Sequence, residues 1–341
     1  MPAKRLFVIY AGGTIGMQAT PQGHAPVAGY LPQELARIAT RTKDFPAYTL
    51  KEYAPLIDSS NLQPAHWNSM AADIAAHYAD YDGFVIIHGT DTLAYTASAL
   101  SFMLENLAKP VIVTGAMVPL SEQPNDAEQN LVDAFHWATQ AGLYEVCVAF
   151  NRQLLRGNRS RKLWGAEMGA FGSPNFPILG RVQGEYEFNR ALCLPKPSAP
   201  LRAHRIDPAL RIAGLKLYPG FSVEIIKQLL TAELPLAGLV LESYGAGNAP
   251  DADQALIVAL SRSTQEQHTL IVNISQCVSG RVDMDNYAAG SALARAGLVS
   301  GCDMTPEAAL CKLYFLLSQQ ADILGPNDRM PVNLRGELSA G

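Results

Sequence analysis

Hydroxyl and acidic side chains follow two short apolar runs, and their residue types suit nucleophilic catalysis. The first run, Leu6–Tyr10, ends in a glycine-rich turn that carries Thr14. The second run, Gly83–Ile87, is followed by Thr90 and Asp91. A hydroxyl and a carboxylate presented together at a strand end are a combination that acyl-transfer chemistry uses. The alternative is helix capping, because Thr and Asp are favoured at helix N-termini.

Two further turns carry polar or small residues. Asp58, Ser59 and Ser60 stand shortly before a proline, so on their own they indicate a turn and a helix cap. The turn 114–117, which includes Ala116, has small residues whose exposed amides could stabilise an oxyanion.

A basic segment, 156–162, holds four of the chain's 26 lysines and arginines. A solvated face is the usual explanation for such a run. A lysine from it, such as Lys162, could act as a base if the fold brought it near Thr90. Histidines and cysteines are scattered without a metal-ligand spacing, so we expect no metal site.

The turn after the first apolar run is not a dinucleotide-binding fingerprint. A G-x-G-x-x-G pattern from Gly12 would need glycine where Thr14 and Met17 stand. The segment Gln18–Gly29 then holds two prolines and two glycines. It therefore predicts a long mobile loop with no helix, placed as a lid beside a reacting hydroxyl.

The elements that must position these residues alternate between strand and helix. Four buried strands are predicted, at Leu6–Tyr10, Gly83–Ile87, Pro110–Thr114 and Val146–Phe150. Three helices are predicted between them, at Ala65–Tyr78, Thr92–Leu107 and Ala127–Gln140. Continuous apolar strands separated by helices indicate a parallel sheet covered on both faces, whose ligands bind beyond the carboxyl ends of the strands.

The chain is predicted to form two domains. Three prolines in 195–200 interrupt the pattern, which then restarts. We expect a larger N-terminal α/β domain at 1–190 with a doubly wound, mostly parallel sheet, a Pro-rich linker at 191–207, and a smaller C-terminal α/β domain at 208–341. Further elements are predicted at Ile212–Leu217, Val223–Leu230, Leu239–Leu241, Ala255–Arg262, Leu270–Ile274 and Pro306–Ser318, with a frayed tail at Gly336–Gly341.

Composition excludes several classes of protein. The chain has 341 residues, of which 48% are hydrophobic and 17% charged, as expected for a packed globular enzyme. A net charge of −5 argues against a nucleic-acid or anionic-membrane surface, and no apolar run is long enough to span a membrane. The first apolar run is too short for a signal peptide, and five cysteines without repeating spacing indicate reduced thiols in a cytoplasm.

Taken together, these residues resemble the bacterial-type L-asparaginases, and most closely the cytoplasmic type I enzymes. Two signatures carry the resemblance, Tyr10–Met17 and Gly83–Thr92. Supporting stretches are 58–60, 113–116, 156–159, 243–250 and 333–338.

The resemblance implies hydrolysis of L-asparagine to L-aspartate and ammonia, without metal or organic cofactor. It assigns Thr14 as the nucleophile that forms a covalent acyl-enzyme. Thr90 and Lys162 form a second set of hydroxyl and base, and Asp91 holds the lysine and the substrate's α-amino group.

The resemblance also implies how substrate is held. Asp58, Ser59 and Ser60 match the segment that binds the α-carboxylate and α-amino groups, and backbone amides near Thr90 and Ala116 form the oxyanion hole. Sites in the family are completed across a subunit interface, so a homodimer or homotetramer is implied.

Two departures from the family pattern stand out. The lid loop of the family carries a tyrosine hydrogen-bonded to the first threonine, and here that position holds His24. Either His24 accepts the Thr14 proton or Tyr30 takes the place of the missing tyrosine.

The second departure concerns an allosteric asparagine site that type I relatives have in the smaller domain. That region matches 243–250, with Asn248, and Cys277. An arginine commonly precedes its Ser-Tyr-Gly, and this chain has Glu242. Because a carboxylate repels the substrate's carboxylate, we expect no homotropic activation.

Two other functions compete with an asparaginase. An amidotransferase-associated subunit that supplies ammonia to a partner would carry an additional N-terminal domain, whereas strand one is expected to begin at residue 6. A non-catalytic amino-acid sensor would use the two domains as a binding module, and it would bind substrate without releasing ammonia.

Overall fold

The computed structural model describes residues 4–21, 23–230, 235–284, 288–319 and 325–339. The chain divides into two units, Met1–Arg205 and Ile206–Gly341. The predicted domain limits at 190 and 208 lie on either side of this division, and the linker at 191–207 stays a prediction. The stretch 194–200 forms neither helix nor strand, as its three prolines require.

The first unit contains fourteen strands in the described residues. They are β1 (Arg5–Tyr10), β2 (Met17–Thr20), β3 (Gly23–Pro26), β4 (Ala47–Glu52), β5 (Gly83–Ile87), β6 (Leu104–Glu105), β7 (Val111–Thr114), β8 (Val146–Phe150), β9 (Gln153–Arg156), β10 (Arg161–Lys162), β11 (Phe171–Gly172), β12 (Gly180–Gln183), β13 (Glu185–Phe188) and β14 (Arg202–Ala203).

Helices of the first unit lie between these strands. They are α1 (Tyr30–Arg41), α2 (Pro64–Ala76), α3 (Leu93–Met103) and α4 (Ala127–Trp137). Short 3₁₀ helices occur at Thr14–Gly16, Ser59–Asn61, Gly157–Arg159 and Arg190–Leu192.

Eight of the strands form one sheet in the order β13-β12-β9-β8-β7-β5-β1-β4. The strands β4, β1, β5, β7 and β8 run parallel, and β9, β12 and β13 continue the sheet antiparallel. The prediction of a mostly parallel sheet, with all four of its predicted strands, is confirmed. Central strand β5 is buried along its whole length, as its continuous apolar sequence indicates.

Several elements of this unit were absent from the sequence prediction, among them β4 and α1, and one prediction was wrong. The edge strand β4 alternates exposed and half-buried residues, so it lacks the continuous apolar run of the inner strands. The helix α1 was also missed. Where a long loop was predicted at Gln18–Gly29, the chain forms an antiparallel hairpin of β2 and β3, because the glycines and prolines lie at its turn and its ends.

The second unit has a separate four-stranded parallel sheet in the order β15-β16-β17-β18. Its strands are β15 (Ile212–Lys216), β16 (Gly238–Ser243), β17 (Leu270–Ser275) and β18 (Val299–Ser300). Its helices are α5 (Val223–Leu230), α6 (Gln254–Glu266), α7 (Ala288–Arg295), α8 (Pro306–Ser318) and α9 (Pro326–Arg329). The prediction of a smaller α/β domain after the proline-rich stretch is confirmed.

The predicted frayed tail is wrong for the residues that the structure describes. The Glu337 side chain is fully buried and forms an ion pair with Lys312 of α8, which is equally buried. Glu337 also accepts hydrogen bonds from the backbone amides of Leu334 and Arg335. Burial lowers the pKa of Lys312, while the Glu337 carboxylate acts in the opposite direction. A buried charge that is paired this closely holds the end of the chain in place. Gly341, at the end of the predicted tail, lies outside the described residues.

In the described part of the chain, helices are too short or too polar to cross a membrane.

Candidate active site

The loops that follow β1 and β5 touch through two glycines. A Cβ atom on Gly13 would lie 2.3 Å from the Gly89 nitrogen, and Gly13 has a φ of +95°. Only glycine allows this approach and this backbone conformation. Because Thr14 and Thr90 directly follow these two glycines, the contact brings both threonines to one edge of the sheet.

Backbone hydrogen bonds join the same loops to the turn that precedes α2. The Ala11 nitrogen donates to the Ile87 oxygen at 3.0 Å, and the Ile57 nitrogen donates to the Ala11 oxygen at 2.7 Å. Across the sheet, the His88 nitrogen donates to the Thr114 oxygen at 2.8 Å. The carboxyl ends of β1, β5 and β7 are therefore fixed relative to one another, which is where ligands of such sheets bind.

A lysine from a distant part of the chain reaches this edge. Lys162 Nζ donates to Thr90 Oγ1 at 2.8 Å and to Asp91 Oδ1 at 2.8 Å. Thr90 is buried, and the Lys162 side chain is 19% exposed, whereas the Asp91 side chain is 62% exposed. Asp91 does not cap α3, whose N-cap residue is Thr92. The Asp91 carboxylate therefore binds Lys162 and does not cap α3.

The turn 58–60 combines a cap with a packed hydroxyl. Asp58 accepts a hydrogen bond from the Ser60 nitrogen at 3.1 Å and caps the 3₁₀ helix Ser59–Asn61. The prediction that this turn caps α2 is wrong, because the N-cap residue of α2 is Gln63. Ser59 is buried, and its oxygen accepts from Thr92 Oγ1 at 2.8 Å. A Cβ on Gly89 would lie 2.5 Å from Ser59 Oγ. These contacts put the turn directly beside the Thr90 loop.

Ala116 lies in a turn that a buried carboxylate holds. Asp126 accepts hydrogen bonds from the backbone nitrogens of Met117 and Val118 at 2.8–3.1 Å. Asn130 donates to the Gly115 oxygen at 3.0 Å. Sequence reasoning missed both side chains, because an acid before a helix resembles an ordinary cap.

The buried side chain of His88 is hydrogen-bonded to the loop that carries Thr90. His88 Nδ1 lies 2.7 Å from the Gly89 oxygen, and His88 Nε2 lies 3.0 Å from Thr96 Oγ1, which also accepts from Trp67 Nε1. A carbonyl oxygen only accepts, so Nδ1 carries the proton and donates it to Gly89. Burial lowers the pKa of His88 to about 4, so the ring is neutral at neutral pH. No sequence pattern indicated this role beyond the position of His88 at a strand end.

The two candidate lid residues have their own partners. His24 lies on β3, and its Nε2 is 2.6 Å from Glu122 Oε1. Tyr30 begins α1 and forms a side-chain hydrogen bond with Gln18, and partial burial raises its pKa.

In the second unit, the residues predicted to form an allosteric region lie at or beyond the carboxyl ends of two adjacent strands. Glu242 is half-buried near the end of β16, and Asn248 and Cys277 follow β16 and β17. The Asn248 Oδ1 atom is buried with no hydrogen-bond partner, and Cys277 is exposed. These residues belong to a sheet edge of their own, separate from the edge that carries Thr90.

No group of three or more metal-ligand side chains occurs in the described ranges. At the edge of the first sheet, the structure brings together the loops that carry Thr14, Asp58–Ser60, Thr90 with Asp91, and Ala116, with Lys162. Hydroxyls, a lysine, carboxylates and backbone amides in one place can perform acyl transfer on an amide.

Two family descriptions match this chain. "Asparaginase, N-terminal" matches residues 5–193, and "Glutaminase/Asparaginase C-terminal domain" matches residues 211–324. L-asparaginase 1 of Escherichia coli K12 is 46% identical over 99% of each chain. The 60 kDa lysophospholipase of Mus musculus is 41% identical over 99% of this chain and 63% of its own length. A crystal structure of L-asparaginase I from Vibrio cholerae is 43% identical, covers 99% of this chain and 100% of its own, and has a TM-score of 0.89.

Fold, site and relatives define a two-domain hydrolase that acts on amide bonds. The chain belongs to the asparaginase family, in its type I branch.

Proposed function

We propose that this enzyme hydrolyses L-asparagine to L-aspartate and ammonia through an acyl-enzyme on Thr14. The observation that carries the proposal is the pair of 2.8 Å hydrogen bonds from Lys162 Nζ to Thr90 and Asp91, beside the Gly13–Gly89 contact. The names of the E. coli and Vibrio relatives support the substrate.

In the acylation step, Thr14 Oγ1 attacks the side-chain amide carbon of asparagine, and the hydroxyl proton is transferred to the departing amide nitrogen. The tetrahedral oxyanion is stabilised by backbone amides near Thr90 and Ala116, since donors aimed at a developing charge lower the barrier. The intermediate collapses when the carbon–nitrogen bond breaks and the amide nitrogen leaves, protonated, as ammonia. A β-aspartyl ester of Thr14 remains.

In the deacylation step, Thr90 and Lys162 activate a water molecule. Their 2.8 Å separation lets a proton pass between hydroxyl and amine, and Asp91 holds the amine in line. The water attacks the ester carbon, the bond to Thr14 Oγ1 breaks, and aspartate leaves with the hydroxyl of Thr14 restored.

The turn 58–60 orients the substrate. The carboxylates of Asp58 and Asp91 attract the α-ammonium group, while Ser59 and Ser60 offer hydroxyl and backbone donors to the α-carboxylate. Asp58 and Asp91 are both exposed, as substrate access requires.

In the second unit, we propose that Glu242 abolishes asparagine binding and with it homotropic activation. A half-buried carboxylate near the end of β16 repels the α-carboxylate of a second asparagine. The dependence of rate on asparagine concentration is then hyperbolic.

We further propose that the enzyme works as a homodimer or homotetramer in the cytoplasm. Two large apolar side chains that follow Lys162 support an interface: Trp164 is 44% and Met168 40% exposed. All five cysteines are free thiols, which suits a reducing compartment. Sedimentation velocity tests the assembly.

The proposed activity is tested by ammonia release from L-asparagine over a wide concentration range, with L-glutamine and D-asparagine alongside. We expect a hyperbolic curve with L-asparagine preferred over its D enantiomer. Binding of L-asparagine without ammonia release would select the amino-acid sensor, and a sigmoidal curve would contradict the role given to Glu242.

A further inference from the structure

An ion pair joins two segments that flank the candidate site. The β2–β3 hairpin follows the 3₁₀ turn of Thr14, and the segment 117–126 follows Ala116. His24 Nε2 on the hairpin lies 2.6 Å from Glu122 Oε1 on the segment. The pair therefore connects the chain that carries the nucleophile to the chain that carries part of the oxyanion hole.

Two further hydrogen bonds join the same segments closer to the site. The Leu120 nitrogen donates to the Ile15 oxygen at 3.2 Å, and Ser121 Oγ donates to the Met17 oxygen at 2.9 Å. Ile15 is the neighbour of Thr14. The position of the hairpin on the segment 117–126 thus bears on the position of the nucleophile's own turn.

The charges at this contact are few. His24 is the one ionisable residue in the sequence 14–29, and Glu122 is the one in 117–125. Nearby acids are engaged elsewhere: Asp126 holds backbone amides, and Glu52 accepts from the Gly29 nitrogen at 3.2 Å. On α1, Glu34 pairs with Arg37, and Arg41 pairs with Glu128.

We propose that Glu122 is a positioning residue whose contact with His24 fixes the hairpin and pre-orders the turn of Thr14. The side chains of His24 and Glu122 are 42% and 49% exposed, and water weakens such contacts. Loss of the contact should therefore change the equilibrium between the docked and the undocked hairpin by about two- to fivefold.

The first test measures hydrogen exchange of the hairpin amides at a single pH. Protection in Glu122→Gln should be about two- to fivefold lower than in the wild type. Because the two residues act through one contact, adding His24→Ala to Glu122→Gln should lower protection no further. Amides of β5 serve as the internal control. Equal protection of the hairpin in wild type and Glu122→Gln would overturn the proposal.

The second test measures kinetics and rests on the proposed function. Because pre-ordering lowers the cost of binding substrate, KM for L-asparagine should be about two- to fivefold lower in wild type than in Glu122→Gln, a larger change than that of kcat. A merely structural role predicts a lower kcat at an unchanged KM, because part of the enzyme would be inactive, and that result would overturn the proposal. If wild type released no ammonia, the proposed function would fail, while hydrogen exchange would still decide the role of Glu122.

Discussion

The mostly parallel sheet of the first unit and the parallel sheet of the second expose similar edges with different chemistry. At the first, glycine contacts and backbone hydrogen bonds lock the strand-end loops together, and Lys162 is bonded to Thr90 and Asp91. At the second, the corresponding edge carries Glu242 and the unpartnered oxygen of Asn248. Sheet topology decides where a ligand can bind, whereas the side chains at the edge decide whether it reacts.

The locked loops of the first edge also explain why its polar groups can be buried. Thr90 and His88 are shielded from water, and each is hydrogen-bonded by a fixed partner. Buried polar groups of this kind are tolerated because their hydrogen bonds are satisfied. Preorganised groups in a shielded site stabilise a transition state more than the same groups in water.

The largest expected effect comes from removing the hydroxyl that faces Lys162. Thr90→Val should lower kcat by at least about 10³-fold, because the hydroxyl that passes the proton of water to Lys162 is lost. The melting temperature should change little, since valine is nearly isosteric. Ammonia release and a thermal melt measure the two effects. The control is Thr40→Val on the exposed end of α1, and substantial activity in Thr90→Val would contradict the assignment.

The stability of the second unit should depend on its buried ion pair. Glu337→Gln leaves Lys312 buried without a counter-charge and should destabilise the second unit by about 3 kcal/mol. Denaturant unfolding measures the loss, and hydrogen exchange of β16 compared with β5 assigns it to one unit. The matched control is Glu224→Gln, which removes an exposed pair with Lys227 and should change stability by about 0.5 kcal/mol or less. Equal effects of the two variants would show that burial does not matter here.

Because His88 is buried and neutral in the folded protein, the stability of the first unit should fall at acidic pH. The folded pKa of about 4 lies below the ordinary 6.5, so the unfolded chain takes up a proton first as the pH falls. Stability is therefore present above pH 6.5 and is lost as the pH falls towards 4, by about 3 kcal/mol at roughly 1.4 kcal/mol per pKa unit.

The variant His88→Asn tests this support. Asparagine keeps a donor for the Gly89 oxygen but loses the bond to Thr96, so kcat should fall by about two- to tenfold. The variant should also lack the acid-dependent loss of stability, which denaturant unfolding at pH 7 and pH 4.5 measures. An unchanged difference between the two pH values would show that another group is responsible.

The smallest expected effect concerns the second edge. Glu242→Arg reverses the charge of a side chain outside the proposed active site, so it should change the rate by about twofold or less at asparagine concentrations that leave the second edge empty. In a calorimetric titration, the variant should bind a second asparagine per chain that the wild type does not bind. If the wild type bound a second asparagine per chain, Glu242 would not prevent binding at the second edge, and the proposed difference between the two edges would be contradicted.

Sequence patterns predicted the fold wherever burial is continuous. Runs such as Gly83–Ile87 can only be inner strands, whereas β4, half-exposed at an edge, has no such run. The end of the chain was mispredicted because its burial depends on Lys312, an ion pair that local composition does not reveal.

The candidate site was predictable where chemistry and strand ends coincide, as at Thr14 and Thr90. Lys162 is 72 residues from Thr90, and only the resemblance to the family, not spacing, linked them before the fold was known. The contacts of His88 and the pairing of His24 with Glu122 depend on tertiary packing, so no sequence pattern indicated them.

The most direct test of the account is to find the acylated residue. Wild-type enzyme is quenched with acid during turnover of L-asparagine, digested and examined by mass spectrometry. The account predicts a β-aspartyl ester on the peptide that contains Thr14 and none in Thr14→Ala. An ester on Thr90, or ammonia release by Thr14→Ala at the wild-type rate, would contradict it.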